Sequence, residues 1–511
     1  MKFQDIHFGS IDAKHDIEGR TPEEVKYFED TFVLPPNINV DDYLSSKKYY
    51  VSGLKGTGKT ALLRYIQIKA EKLGFKTNFI LFKSEFDDYE RQNFHNTLMA
   101  NVPSDPEGEN SQSSYDYEQA WRLYFYQSLV VLTKLGKLSP FQDNAIWKEF
   151  VEIITSSIPQ KNDGSLSLPK IKKGMIELSK SPKLQLDFEI TKNKAMANFS
   201  EYCRVCDSKY KELTANSGNN IIFVDELEFR YLNEESSIRD AHLIRDLVVT
   251  TERINQINRS YGYNLSFILA VRTEVLYSVS SLGKEINKPL FDFGDTLVWH
   301  KYSKDKKNHP LIKILESRIL ASEKRNGITS HGDVWKKYFH GDFHGKDIRE
   351  FAIDQTWYRP RDMVRLMGVI LKTFKDREYI GQVHFDEARK LYSSESWVEL
   401  CEELSATLTQ EEIEAVARIL GRFRYPFNLK QFREQVEELA DIYSEVEKLE
   451  RSNHQGDLLK KLYDVGAIGN YIKGRKGNKI PQFAARGNPR ALLEEDFIVH
   501  PALKPYFSTN L

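Results

Sequence analysis

The chain has 511 residues and a formal net charge of −1, with 40% hydrophobic and 29% charged residues, a globular composition long enough for about three domains. No run of about 18 apolar residues is present and MKFQDIHFGS lacks a signal-peptide core, so a membrane span is excluded and a cytoplasmic location is expected. Three cysteines cannot build a disulfide framework, and a balanced charge confines any nucleic-acid surface to a local patch.

Residues 1–45 are polar and broken by LPPNINV, which reads as a leader packed over the first strand. Residues 47–52 then form a short apolar strand that runs into GLKGTGKT, a match to G-x-x-x-x-G-K-[ST], and into a helix over residues 61–73. Gly53, Gly56 and Gly58 allow the positive φ and close approach that turn backbone N–H groups around a phosphate. Lys59 can reach the β- and γ-phosphates, the Thr60 hydroxyl can ligate Mg²⁺, and the new helix aims its positive end at the same anion. Gly53, Leu54, Lys55, Gly56, Thr57, Gly58, Lys59, Thr60 and Ala61 are therefore the expected nucleotide-binding stretch; the alternative is a chance glycine-rich turn.

A second buried strand is expected at residues 76–82, an exposed loop at 87–114, a helix at 117–135, and an insertion of mixed helical and loop character to about residue 200. Cys203 and Cys206 form a lone C-x-x-C with no second pair, and a structural role is favoured over metal or redox chemistry. Residues 221–224 form an apolar strand ending in Asp225 and Glu226. An aspartate there can hold the Mg²⁺ water shell, and the adjacent glutamate can polarise an attacking water. Strands at 265–272 and 295–302 complete five, alternating with helices, which implies a doubly wound parallel α/β sheet. Arg272 ends the fourth strand, either near the expected γ-phosphate or as a surface arginine at a strand end. Arg361 follows Pro360 in the first turn of another helix, against the helix-dipole preference, either to reach a phosphate or as a solvated charge.

Beyond residue 379 the chain reads as three helices, the second of them continuous over residues 429–450, followed by a hairpin turning at 475–478, the outline of a winged-helix module. Lys473, Arg475, Lys476, Lys479, Arg486 and Arg490 stand on or near that hairpin with no acidic residue between positions 467 and 493. Lys473, Arg475, Lys476 and Lys479 are the candidate contacts to a DNA backbone; a protein-docking wing is the alternative.

Through GLKGTGKTALL, FVDELE, LAVRTEV, RPRDMVRLM and the closing LYDVGAIGN and VHPAL, the chain resembles P-loop ATPases of the AAA+ and STAND type. It looks in particular like a bacterial family of standalone ATPases with an opening FG..DA element, here Phe8, Gly9, Asp12 and Ala13. The resemblance implies a leader at 1–45, a P-loop core at 46–305 with a helical insertion at about 87–200, a helical lid at 306–395 and a winged-helix-like domain at 396–511. It also implies ATP and Mg²⁺ as cofactors, with Lys59 and Glu226 catalytic, Thr60 and Asp225 on the metal, Arg272 and Arg361 as sensors, and Arg253, Arg259 and Arg318 as candidate arginine fingers. The expected function is a nucleotide-regulated switch that hydrolyses ATP, self-associates or reports to an effector protein, and belongs to the kind of system used in bacterial antiviral defence. Its competitors are a DNA-binding protein whose affinity ATP tunes and a nucleotide-holding scaffold that does not hydrolyse. No N-K-x-D element speaks for guanine, which favours ATP over GTP.

Overall fold

The computed structural model describes residues 1–17, 19–81, 117–157, 171–172, 175–178, 195–226, 234–279, 284–301, 305–329, 331–452, 454–474 and 479–509. They group into two compact units, one of Asn37–Lys55 with Lys59–Leu297, the other of Met1–Pro36, Gly56–Gly58 and Val298–Leu511. None of the described helices is long and apolar enough to cross a membrane.

The Lys59–Leu297 unit is an α/β assembly. Its strands are β1 (Tyr50–Gly53), β2 (Lys76–Leu81), β3 (Ile171–Lys172), β4 (Met175–Leu178), β5 (Ala195–Asn198), β6 (Asn220–Asp225), β7 (Leu265–Arg272) and β8 (Gly294–Thr296). Five of them form one parallel sheet in the order β2-β6-β7-β1-β8. The contiguous apolar runs NIIFVD and LSFILAVR explain the central places of β6 and β7. All of β6 is buried, as is β7 up to its last residue, which requires strands covered on both faces. β1 lies between β7 and β8, where the strand order reverses, and the carboxyl edge at such a reversal is where open α/β sheets take ligands.

Two expectations change here. The fifth strand is only three residues long: Leu297 N still donates to Ser52 O of β1 at 2.7 Å, but the buried Trp299 and the residues up to 301 lie beyond the strand. Its close fit beside β1 depends on Gly294, where a Cβ would lie 2.9 Å from the Tyr50 Cβ. The insertion expected to be helical contains the helices Glu118–Lys134 and Ala145–Ser156, but also the antiparallel sheet β3-β4-β5. The loop expected over residues 87–114 lies outside the described residues.

The other unit is mostly helical around one continuous core that runs from Phe3 to Phe507. The opening residues belong to it: Phe3 N donates to Arg377 O at 2.8 Å, and its ring meets Phe339 edge-on at 5.6 Å. Four helices, Gln410–Leu420, Leu429–Ala440, Ser444–Ser452 and Gln455–Asp464, precede an antiparallel sheet of β9 (Ile468–Lys473), β10 (Lys479–Gln482) and β11 (Asp496–Val499), ordered β10-β9-β11. The helix expected to be continuous over 429–450 breaks at residues 441–443. The break turns Ile442 to solvent while Val436, Leu439, Val446 and Leu449 all stay buried.

Candidate functional site

The glycine-rich loop leaves the carboxyl end of β1 and enters the helix Lys59–Lys72 without a break. Gly56 and Gly58 have φ of +79° and +93°, values that side chains other than glycine adopt only under strain. The Lys59 ammonium is folded over the loop and donates to the carbonyls of Gly53 at 2.9 Å and Leu54 at 3.0 Å. At the second residue of that helix, the Thr60 hydroxyl donates to Asp225 Oδ2 at 2.7 Å, tying the start of the helix to the end of β6.

Asp225 is buried, and burial pushes its carboxyl up from the ordinary range, opposed by the Thr60 hydroxyl, the Glu226 amide and the Lys59 charge. Its other oxygen accepts the Glu226 N–H at 2.8 Å, a local bond that closes the turn after the strand. Glu226 itself is left-handed, with φ of +63°, a conformation that costs a residue with a Cβ about 1–2 kcal/mol. Arg272 is the last residue of β7 and is paired in the parallel ladder with Gly53, the first residue of the loop. Gly53, Lys59, Thr60, Asp225, Glu226 and Arg272 are thus gathered at one edge of the sheet.

In the helical unit, the helix Pro360–Thr373 begins against the middle of the same loop. The Arg361 N–H donates to Gly56 O at 3.3 Å, and a Cβ on Gly56 would lie 3.1 Å from the Arg361 Cβ. The buried Thr57 presents its carbonyl to the Trp299 indole N–H at 2.9 Å. The Arg361 guanidinium meets Glu399 Oε1 at 3.4 Å, and Glu399 Oε2 accepts a closer bond from Arg365. Glu399 and Trp299 were missed in the sequence. Arg361 and Arg365, four residues apart on one helix face, were the available signal, since like charges at that spacing repel unless an anion lies between them.

Asp362 accepts the Trp357 N–H at 3.1 Å and is buried. Burial pushes its carboxyl up to about 6 from 3.8, against the pull of Arg359 and Arg365. A folded-state value above the unfolded one means that the contribution of Asp362 to stability is complete below about pH 4 and is lost as pH rises through 6. Between pH 4 and 7 the parent is expected to lose about 2 kcal/mol relative to Asp362→Asn. Denaturant titrations of both proteins across that range check this, and parallel stability curves would count against it.

The remaining candidates are placed as follows. Arg253 pairs with buried Glu118, Arg259 donates to Ser46 O at 2.8 Å, and Arg318 binds Phe8 O and Asp16, so all three proposed fingers have partners inside their own unit. Cys203 and Cys206 are buried in the helix Phe199–Glu212, and burial raises both thiols, which suits packing and not redox work. Lys473 and Lys479 face each other across β9 and β10, and Lys479 is bound to Asp496 at 3.0 Å. Arg475 and Lys476 lie outside the described residues. Arg490 is exposed, whereas Arg486 turns inward, its guanidinium 4.9 Å from the Tyr358 ring and 4.8 Å from that of Phe483. The expected run of solvent-facing cations is therefore shorter by one.

Taken by fold and site, the protein is an α/β chain with a parallel five-stranded sheet and a glycine-rich loop at the sheet's carboxyl edge. Residues 309–401, which include the Arg361 helix and Glu399, match a family model described as a FunZ-associated C-terminal helical domain. No curated protein matches the chain.

Proposed function

We propose that the protein is a Mg²⁺-dependent ATPase of the P-loop class, AAA+ or STAND in type, that uses ATP as a switch. The observation that carries this reading is the 2.7 Å contact between the Thr60 hydroxyl and the Asp225 carboxylate, beside a loop already turned by two left-handed glycines. The residues fit the cofactor. Two protein oxygens, from Thr60 and Asp225, are what Mg²⁺ needs when phosphate and water fill its other positions. Among the described residues no group of three or more His, Cys, Asp or Glu could hold a metal, so a cation here would depend on a phosphate-bearing ligand.

When bound, Mg-ATP supplies the bond to be broken and the cation that neutralises its oxygens. The chain's residues then divide the work. Loop N–H groups cradle the phosphates, the Lys59 ammonium exchanges loop carbonyls for phosphate oxygens, and Glu226 orients the attacking water. Arg272, beside Gly53, and Arg361, beside Gly56, add positive charge along the loop. The helical stretch at 306–395 acts as a lid and the four helices with β9–β11 as a winged module. Measuring ATP turnover with and without DNA while recording mass tests this; absence of ATP binding would sink it.

One observation favours a second role for the winged module, in DNA contact. Lys473 and Lys479 are directly opposite in the ladder, an arrangement that is unfavourable unless an anion offsets it, and among the described residues Asp496 pairs with Lys479 and not with Lys473. If Lys473, Arg475, Lys476 and Lys479 meet phosphates, log affinity falls with log salt by about 0.9 per contact. Alanine at all four is expected to flatten the slope by up to about 3 units with little sequence preference. A parent with no salt-dependent DNA binding assigns the wing to a protein partner.

A further inference from the structure

We propose that Glu399 is a latch: its carboxylate holds Arg361 in reserve and competes for it with the terminal phosphate of ATP. The inference rests on the ATP reading above, and its geometry lies within the helical unit.

Glu399 is shared by two guanidinium groups, and the sharing is unequal. The bond to Arg365 Nη2 is the close one, and Arg365 is nearly buried, with its side chain 8% exposed. The bond to Arg361 Nη1 is long, 3.4 Å, and Arg361 is the more exposed partner at 23%. Arg365 is therefore the fixed arm and Arg361 the releasable one. Arg361 is also the arm next to the loop, through its N–H to Gly56 O and the close approach of its Cβ to Gly56. Its Nε is enclosed without a hydrogen-bond partner among the described residues, as is Arg365 Nη1, so the cluster holds more donor capacity than Glu399 uses. A group that brings more negative charge than one carboxylate can draw Arg361 away. The terminal phosphate of ATP does so, and ADP lacks it. Without Glu399, Arg361 would stand ready at all times and the γ-phosphate would no longer be needed to release it.

The latch taxes ATP affinity by the fraction of time Arg361 is unavailable. Mg-ATP and Mg-ADP binding to the full chain, measured by calorimetry in the parent, Glu399→Gln and Arg365→Met, reads that tax. Glu399→Gln is expected to bind ATP about five- to tenfold more tightly with little change for ADP. Arg365→Met removes the closer of the two guanidinium groups on Glu399, leaves more of its charge to Arg361, and is expected to bind ATP several-fold more weakly. Both effects should vanish in an Arg361→Ala background. If Glu399→Gln does not fold, Glu399→Asp, whose shorter reach cannot span both arginines, carries the same sign. A carboxylate that only supports the helices would shift both variants the same way or neither, and that result overturns the latch. A parent that binds no ATP overturns the ATP reading itself, which is a separate outcome.

Discussion

Lys59→Ala is expected to weaken Mg-ATP binding by more than about tenfold. The ammonium is the cation the loop itself positions, anchored by the Gly53 and Leu54 carbonyls at 2.9 and 3.0 Å. Losing a charged hydrogen bond of this kind costs about 1.5–3 kcal/mol, and every 1.4 kcal/mol is a factor of ten in affinity. Lys59→Arg is not expected to restore it, because a rigid planar fork cannot replace a compact ammonium that turns from the loop carbonyls to the phosphate oxygens. Calorimetry checks both variants, with melting curves to show that the loop's two anchoring bonds are not needed for folding. Parent-like affinity in Lys59→Ala would mean that residues 53–60 do not hold phosphate.

The sheet was legible because its central strands carry unbroken apolar runs. IIFV and FILAV can be little else in a chain with glycine and polar stretches on either side, and each lies wholly inside its strand, β6 or β7. The loop was legible for a different reason: glycine, lysine and threonine at fixed spacing are demanded by backbone geometry, and Gly56 and Gly58 have the positive φ expected of them. What stayed hidden depends on residues distant in the chain. Nothing near Glu399 in sequence says that two arginines more than thirty positions earlier will share it. Trp299 looks like a strand residue because burial and strand propensity select the same side chains, and here burial alone was at work. Arg486 looked like a wing cation because composition counts charges without showing which way they point. Its neighbours Tyr358 and Phe483 offer ring faces, which an arginine can accept in place of water.

Glu226→Gln is expected to keep ATP binding while turnover falls about 10²-fold or more, the scale of a lost general base. The substitution preserves shape, and the bond that closes the turn uses the residue 226 backbone N–H and the Asp225 carboxylate, so it survives the change of side chain. The φ of +63° at Glu226 makes a second variant informative. A glutamate in the left-handed region costs about 1–2 kcal/mol that a glycine would not incur, so Glu226→Gly should melt no lower than the parent while turnover collapses. A residue kept for stability would behave in the opposite way, with the glycine variant melting lower and turnover following the folded fraction. Asp225→Asn separates the metal from the water: it removes the charge beside Thr60 and should weaken the Mg²⁺ dependence of binding, which Glu226→Gln leaves intact. Steady-state turnover with parallel melting and Mg²⁺ titrations distinguishes the three variants. Undiminished hydrolysis in Glu226→Gln would move the water-orienting role to another residue, and the strain at position 226 would then have no catalytic explanation.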